Sequence, residues 1–168
     1  MNPKQNISAK TALDLIEEKG KINDSYIERS LVIEDKEFSN SVELTNCIVS
    51  YFSAAVSTFS KPVVLKNCHF KECIFTFSYF LDNLHIEDCT FDTYLDIQAG
   101  INRGSVVLIN NTFKGFVNFF DRTFEGSIEL VNNHFEEGTN ILSEKQMITL
   151  PDNLVQKNNT GEMMCEHE

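Results

Sequence analysis

The chain has 168 residues, of which 42% are hydrophobic and 23% charged, and a formal net charge of −11. That length suits one domain with a buried core. The acidic balance excludes a direct nucleic-acid binder, whose phosphate contacts need a basic surface, and disfavours docking on anionic membranes. There are 14 Phe and no Trp; Phe carries no polar handle and suits stacking in a dry interior.

Met1-Asn2-Pro3-Lys4-Gln5-Asn6 leads into polar and helical sequence without an apolar h-region, so no signal peptide is expected. No window approaches a membrane span. Ser8 reads as an N-cap. Ala9, Ala12, Leu13 and Ile16 then share one helical face, and Gly20 is placed to stop the helix. The expectation is an amphipathic lid over one end of the molecule. Ile22, Ile27, Leu31 and Ile33 lead on from it.

From there a motif returns every 21 or 22 residues: Val42-Glu43-Leu44-Thr45-Asn46-Cys47-Ile48-Val49, then Val63 to Phe70, Leu84 to Phe91, Val106 to Phe113 and Ile128 to Phe135. A fixed period over most of a chain predicts a solenoid. The period divides into four inward columns. They follow Leu44, Val49, Ala54 (with Ile33, Phe75, Ile97, Phe119 and Ile141) and Phe59 (with Phe38, Phe80, Ile101 and Phe124). Two residues before many of these centres stands another small or apolar side chain, the period-two signature of a half-buried strand. The Ala54 side is ambiguous, since Phe52 or Val56 would also serve as its inward residue. The expected fold class is all-β: a right-handed parallel β-helix with a short N-terminal capping helix. Its segments are an N-terminal part over 1–30, repeats over 31–142, and a C-terminal cap and flexible tail over 143–168.

The pairs Cys47/Val49, Cys68/Phe70, Cys73/Phe75, Ser78/Phe80 and Cys89/Phe91, a small residue two before a large centre, resemble the pentapeptide-repeat family over about residues 31–142. The resemblance implies a quadrilateral β-helix. Coils longer than four times five predict irregular corners and keep a three-sided helix open as the alternative.

Beyond the repeats, Met147, Ile148, Leu150, Leu154 and Val155 would cap the last coil or pair with another chain, and the polar sequence from Gln156 reads as a mobile tail. Cys47, Cys68 and Cys89 form a stacked column that Asn111 and Asn133 continue. This is a packing ladder rather than a disulfide or metal framework, so free thiols in a cytoplasmic protein are expected. Asn46, Asn67, Asp88, Asn110 and Asn132 occupy the preceding corner, where left-handed backbone favours Asn and Asp.

His69 and His134 share an outward column, His85 stands in another and His167 lies in the tail. Glu43, Glu87 and Glu129 read as one outward column. No metal, cofactor or catalytic set assembles from these. The one outward set with a recognition character is aromatic: Phe77, Tyr79, Phe116 and Phe120, near Val56, Gln98, Tyr51 and Tyr94. The sequence therefore points to a non-catalytic β-helix that binds a protein partner or acts as a scaffold, as a monomer or homodimer. Two alternatives stand beside it. One is a DNA mimic acting on a type II topoisomerase, as some pentapeptide-repeat proteins do; the other is a carbohydrate-active β-helix enzyme.

Overall fold

A computed structural model describes residues 5–166. The chain is a right-handed parallel β-helix of about seven turns, with one helix at its N-terminal end. Every strand pairing is parallel, and each strand's neighbours are its counterparts one coil before and one coil after. Sheet I has seven strands, from Lys21–Asn23 through Val42–Thr45, Val63–Lys66, Leu84–Glu87, Val106–Ile109 and Ile128–Val131 to Leu154–Lys157. Sheet II starts with Gln5–Ile7, Ser25–Val32, Ile48–Ser53 and His69–Ile74. Sheet III has five strands: Glu37–Phe38, Thr58–Phe59, Ser78–Phe80, Gly100–Asn102 and Arg122–Phe124.

The inside is four-sided although the hydrogen-bonded sheets number three. In the coil beginning at Val63, the pairs Val63/Leu65, Cys68/Phe70, Cys73/Phe75 and Ser78/Phe80 are all at 0% exposure. Sheet II bends through two of these sides. Phe52 and Ala54 both point inward, and Val56 is exposed. The 22-residue coils carry one extra residue where sheet II bends. Phe70 aligns with Phe91 and Cys73 with Leu95, so Asp92-Thr93-Tyr94 stands opposite Lys71-Glu72. The strand divides there into Thr90–Phe91 and Leu95–Asp96, and one coil later into Thr112–Phe113 and Val117–Asn118.

Each coil buries its inner face only against its neighbours, so the core is a set of stacks. Phe70, Phe91, Phe113 and Phe135 lie nearly parallel with ring centroids 5.2, 5.1 and 4.9 Å apart. Phe38, Phe59 and Phe80 repeat this at 5.1 Å. These separations are close to the spacing of strands in a sheet, so identical side chains stack because the backbone already sets their distance.

The ladders hold the coils in register. The amide N–H groups of Cys47 and Cys68 donate to Cys68 Sγ and Cys89 Sγ (3.4 Å each). Cys89 N–H donates to Asn111 Oδ1, Asn111 N–H to Asn133 Oδ1 and Asn133 N–H to Asn159 Oδ1 (2.9, 3.0 and 2.9 Å). Contact with Cys68 and then burial raise the Cys47 thiol, and burial puts Cys73 well above its ordinary value. Cys68 is pulled down by Cys47's hydrogen bond but pushed up by Cys89 and burial, to about 12. At the adjoining corner Asn46, Asn67, Asp88, Asn110 and Asn132 all have φ near +50°. Their amides bond along the rod, as from Asn46 Nδ2 to Asp24 Oδ1 and from Asn67 Nδ2 to Asn46 Oδ1 (2.9 and 2.7 Å).

The capping helix spans Ala9–Lys19. Ser8 Oγ accepts from Thr11 N–H, and Gly20, at φ +67°, donates to the Ile16 carbonyl. Ala12 and Ile16 are buried against the first coil, with Leu13 packed beside them. At both ends the solenoid exceeds the expected 31–142. Lys21–Asn23 and Ser25–Val32 already pair with the next coil. At the other end, Leu154–Lys157 pairs with Ile128–Val131, and Asn158 and Asn159 extend both ladders. The expected flexible tail is thus a seventh strand of sheet I through Lys157, and Thr160 still bridges to His134. No described helix is long and apolar enough to cross a membrane.

Candidate functional site

Val56, Phe77 and Phe120 are exposed at the corner between sheets II and III. Its backbone is left-handed in each coil, at Asp35 (φ +53°), Val56 (+57°), Phe77 (+56°), Ala99 (+55°), Asp121 (+53°) and Met147 (+55°). The other left-handed corner uses Asn and Asp, which tolerate that conformation. Here a β-branched residue and an aromatic occupy it while facing solvent: Val56 is 57% exposed and Phe77 56%. Neither burial nor local side-chain bonding accounts for that choice. Tyr79 is 44% exposed, in register with Thr58 and Ile101 on sheet III, and Leu81 and Phe120 complete the patch.

Three of the four aromatic residues singled out from the sequence, Phe77, Tyr79 and Phe120, are therefore accessible. Phe116 is not; it is 7% exposed and its ring stacks on Tyr94 at 6.5 Å. Both rings belong to the three-residue stretch that holds the extra residue at the sheet II bend, where the alternation of the strand is interrupted. Phe120 and Gln98 also fall one place before the left-handed column, because Phe77 N–H donates to the Gln98 carbonyl and Ala99 N–H to that of Phe120. Leu81 was missed because it lies beyond the strand, where period two says nothing.

Beside the patch, sheet II turns a polar row outward. Asp96 accepts from Thr76 Oγ1 (2.7 Å), Gln98 N–H (2.9 Å) and Gln98 Nε2 (3.2 Å). It is nearly covered, and burial raises its pKa against the pull of these bonds. Burial, then Asp96, pushes the Tyr94 hydroxyl up to about 12. Asn118 and Asn140 continue the row, with Asn118 Oδ1 accepting from Phe120 N–H at 3.0 Å and from Asn140 Nδ2 at 2.9 Å.

Behind the patch the apolar column is interrupted. Asn102, rather than the expected Ile101, aligns with Phe80 and Phe124 and is fully buried, while Ile101 stands outward beside Tyr79. Arg122 points inward where earlier coils have Ser57 and Ser78, and it too is at 0% exposure. Its guanidinium donates to Asn102 Oδ1 (2.7 Å) and to the Ala99 carbonyl, and lies 5.3 Å from the Phe80 ring centre. Gly100 leaves the room: a Cβ there would meet Arg122 Nη1 at 2.9 Å. Burial lowers the Arg122 pKa to about 9, opposed by Asp96 and Tyr79. Asn102 Nδ2 is left without a hydrogen-bond partner.

The remaining titratable candidates form ion pairs strung along the rod. Asp92 lies between Lys114 Nζ (2.7 Å) and His69 Nε2 (2.6 Å), and Lys114, then His69, holds its carboxyl low against burial. Glu87 is held low by Lys66 and then His85. Glu87 is not in the column of Glu43 and Glu129; register places it with Thr45, Lys66 and Ile109. His69 and His134 do share a column, with Thr90 and Thr112 between them, and His167 lies outside the described residues. No family model, curated protein or solved structure matches the chain.

Proposed function

We propose that this chain is a non-catalytic protein-interaction or scaffold module of the pentapeptide-repeat type, recognising its partner through the corner between sheets II and III. The observation that carries the reading is the presence of exposed Val56 and Phe77 at positive φ. Each combines an unfavourable backbone with an unfavourable surface, and strain of this kind concentrates at binding sites. Phe77 and Tyr79 are the anchors, Val56, Leu81 and Phe120 the surrounding contacts, and Phe116 supports the wall through Tyr94. The pentapeptide type is supported by inward pairs that recur at steps of five. The buried free thiols fit a reducing cytoplasm.

The test is affinity capture from host lysate with wild-type protein, Phe77→Asn and Tyr79→Ser. A protein retained by the wild type and lost with both variants supports the reading; identical captured sets refute it. The net charge of −11 supports a second reading, a DNA mimic acting on a type II topoisomerase. Pairing of Glu43, Glu87, Asp92 and Glu125 with Lys21, Lys66, Lys114 and Arg103 weakens it, because a mimic needs uninterrupted negative charge. A gyrase supercoiling assay unaffected by excess protein would remove it.

A further inference from the structure

The capping helix replaces part of a coil. The chain leaves sheet II at Ile7, crosses the end of the rod as Ala9–Lys19 and enters sheet I at Lys21. It supplies no strand to sheet III, whose first strand, Glu37–Phe38, is paired among the described residues on one side only, to Thr58–Phe59. The Lys36 and Phe38 carbonyls accept from Thr58 and Ser60 N–H at 2.8 and 2.9 Å. Groups alternate in direction along a strand, so the N–H and C=O of Glu37 turn the other way, towards the end of the rod. A cleft of about 380 Å³ lies there, between Ile16 and Glu17 of the helix and Lys36, Glu37, Phe38 and Ser39. That volume lies within the range of ligand pockets.

We propose that this cleft is a strand-addition site, filled by an extended segment of a partner protein that alternates basic and apolar residues. The free edge provides main-chain pairing, the usual source of affinity when a peptide extends a sheet. Charge and shape select the peptide. A residue added in register with Glu37 projects outward beside its carboxylate and near Glu17, so Lys or Arg fits there. The adjacent residue turns inward to the margin of Phe38, which is 8% exposed while Phe59 and Phe80, the next two rings of its stack, are at 0%. A modest apolar side chain fits between it and Ile16. Lys36 is engaged by Glu17, which leaves Glu37 as the carboxylate facing the added strand. This site is separate from the aromatic corner.

The probes are two N-acetylated octapeptides, one alternating Lys and Val and the other Glu and Val, titrated into labelled protein with amide shifts as the readout. The Lys peptide should move the Glu37 and Ser39 amides and bind at least tenfold more tightly than the Glu peptide. Glu37→Pro removes the outward N–H without removing a hydrogen bond of the fold and should abolish binding. Glu37→Lys, which keeps the backbone intact, should reverse the peptide preference. Phe77→Asn should leave peptide binding unchanged, so failure here is distinguishable from failure at the corner. No shift at Glu37 and Ser39 at millimolar peptide, or binding indifferent to Glu37→Lys, overturns the proposal.

Discussion

Val56→Asn should make the protein more stable. Left-handed backbone costs an ordinary residue about 1–2 kcal/mol, and a β-branched one stands at the upper end. Asn visits that region readily, as the opposite corner shows at Asn46, Asn67, Asn110 and Asn132. The substitution loses some contact. Burying a whole Val is worth about 1.5–3 kcal/mol, and Val56 is 57% exposed, so less than half of that is at stake. Asn is of similar size and keeps part of it, leaving a loss of about 0.5 kcal/mol. The net gain is about 0.5–1.5 kcal/mol, or roughly 2–5 °C in Tm for a chain of this size. Urea unfolding followed by far-UV circular dichroism measures it. The reciprocal change, Asn46→Val, adds the backbone cost and breaks the amide bonds to Asp24 and Asn67, for a loss of about 2–4 kcal/mol. A Val56→Asn protein less stable than the wild type would refute the reasoning, because strain at the corner would then not be real. If it gains stability while losing the captured partner, stability and function are opposed at that residue.

Three further outcomes follow from the same geometry. Burial holds the Asp96 pKa above its ordinary 3.8, so the wild type loses stability as pH rises through the folded value. Asp96→Asn, which copies Asn118 one coil on, should remove that loss, and its advantage in a pH series of urea melts should grow from about pH 3 towards neutrality. Arg122→Met strands Asn102 Oδ1 and the Ala99 carbonyl and should cost about 3–5 kcal/mol in the same melts. The pair Asn102→Leu with Arg122→Ser, which restores the column seen in earlier coils, should recover most of it. A thiol reagent should modify Cys165 in the native protein and spare buried Cys47, Cys68, Cys73 and Cys89, all five reacting after unfolding.

What the sequence disclosed was whatever repeats. The Cys47 ladder, the Asn46 corner and three of the four inward columns are local patterns copied once per coil, the helix caps at Ser8 and Gly20 are short-range signals that need no repeat, and the structure has them all. Errors arose where a copy is out of phase. An unbroken step of five from Ile97 reaches Asn102, but the apolar Ile101 beside it draws the assignment one residue short. Phe116 reads as outward in the sequence because the extra residue at the sheet II bend has no sequence mark of its own. The last strand was hidden by a coil of 26 residues and by Gln156, which follows Leu130 in register. A signal for it did exist: Asn158-Asn159-Thr160 repeats Asn110-Asn111-Thr112. The cleft at Glu37 had none, because it results from a strand that the helix fails to supply.

Apart from the extra residue at the sheet II bend and the register shift beside left-handed Arg29, the departures from the repeat gather on one side of the rod. Sheet I and the first side of sheet II keep their ladders through Asn159. Sheet III and its corner hold the left-handed Val56 and Phe77, the exposed Tyr79 and Leu81, the Asn102–Arg122 interruption and the unpaired edge of Glu37–Phe38. A chain selected only for folding gains from repairing each of these, and the Asn corner shows that the repair is available within the same coil. Local rules broken together at one corner and its sheet, where the Asn corner shows the repair, are what a site under a second constraint looks like. Sheets I and III differ less in fold than in what their outward residues cost, so the side of the rod that serves function is the one that the repeat does not explain.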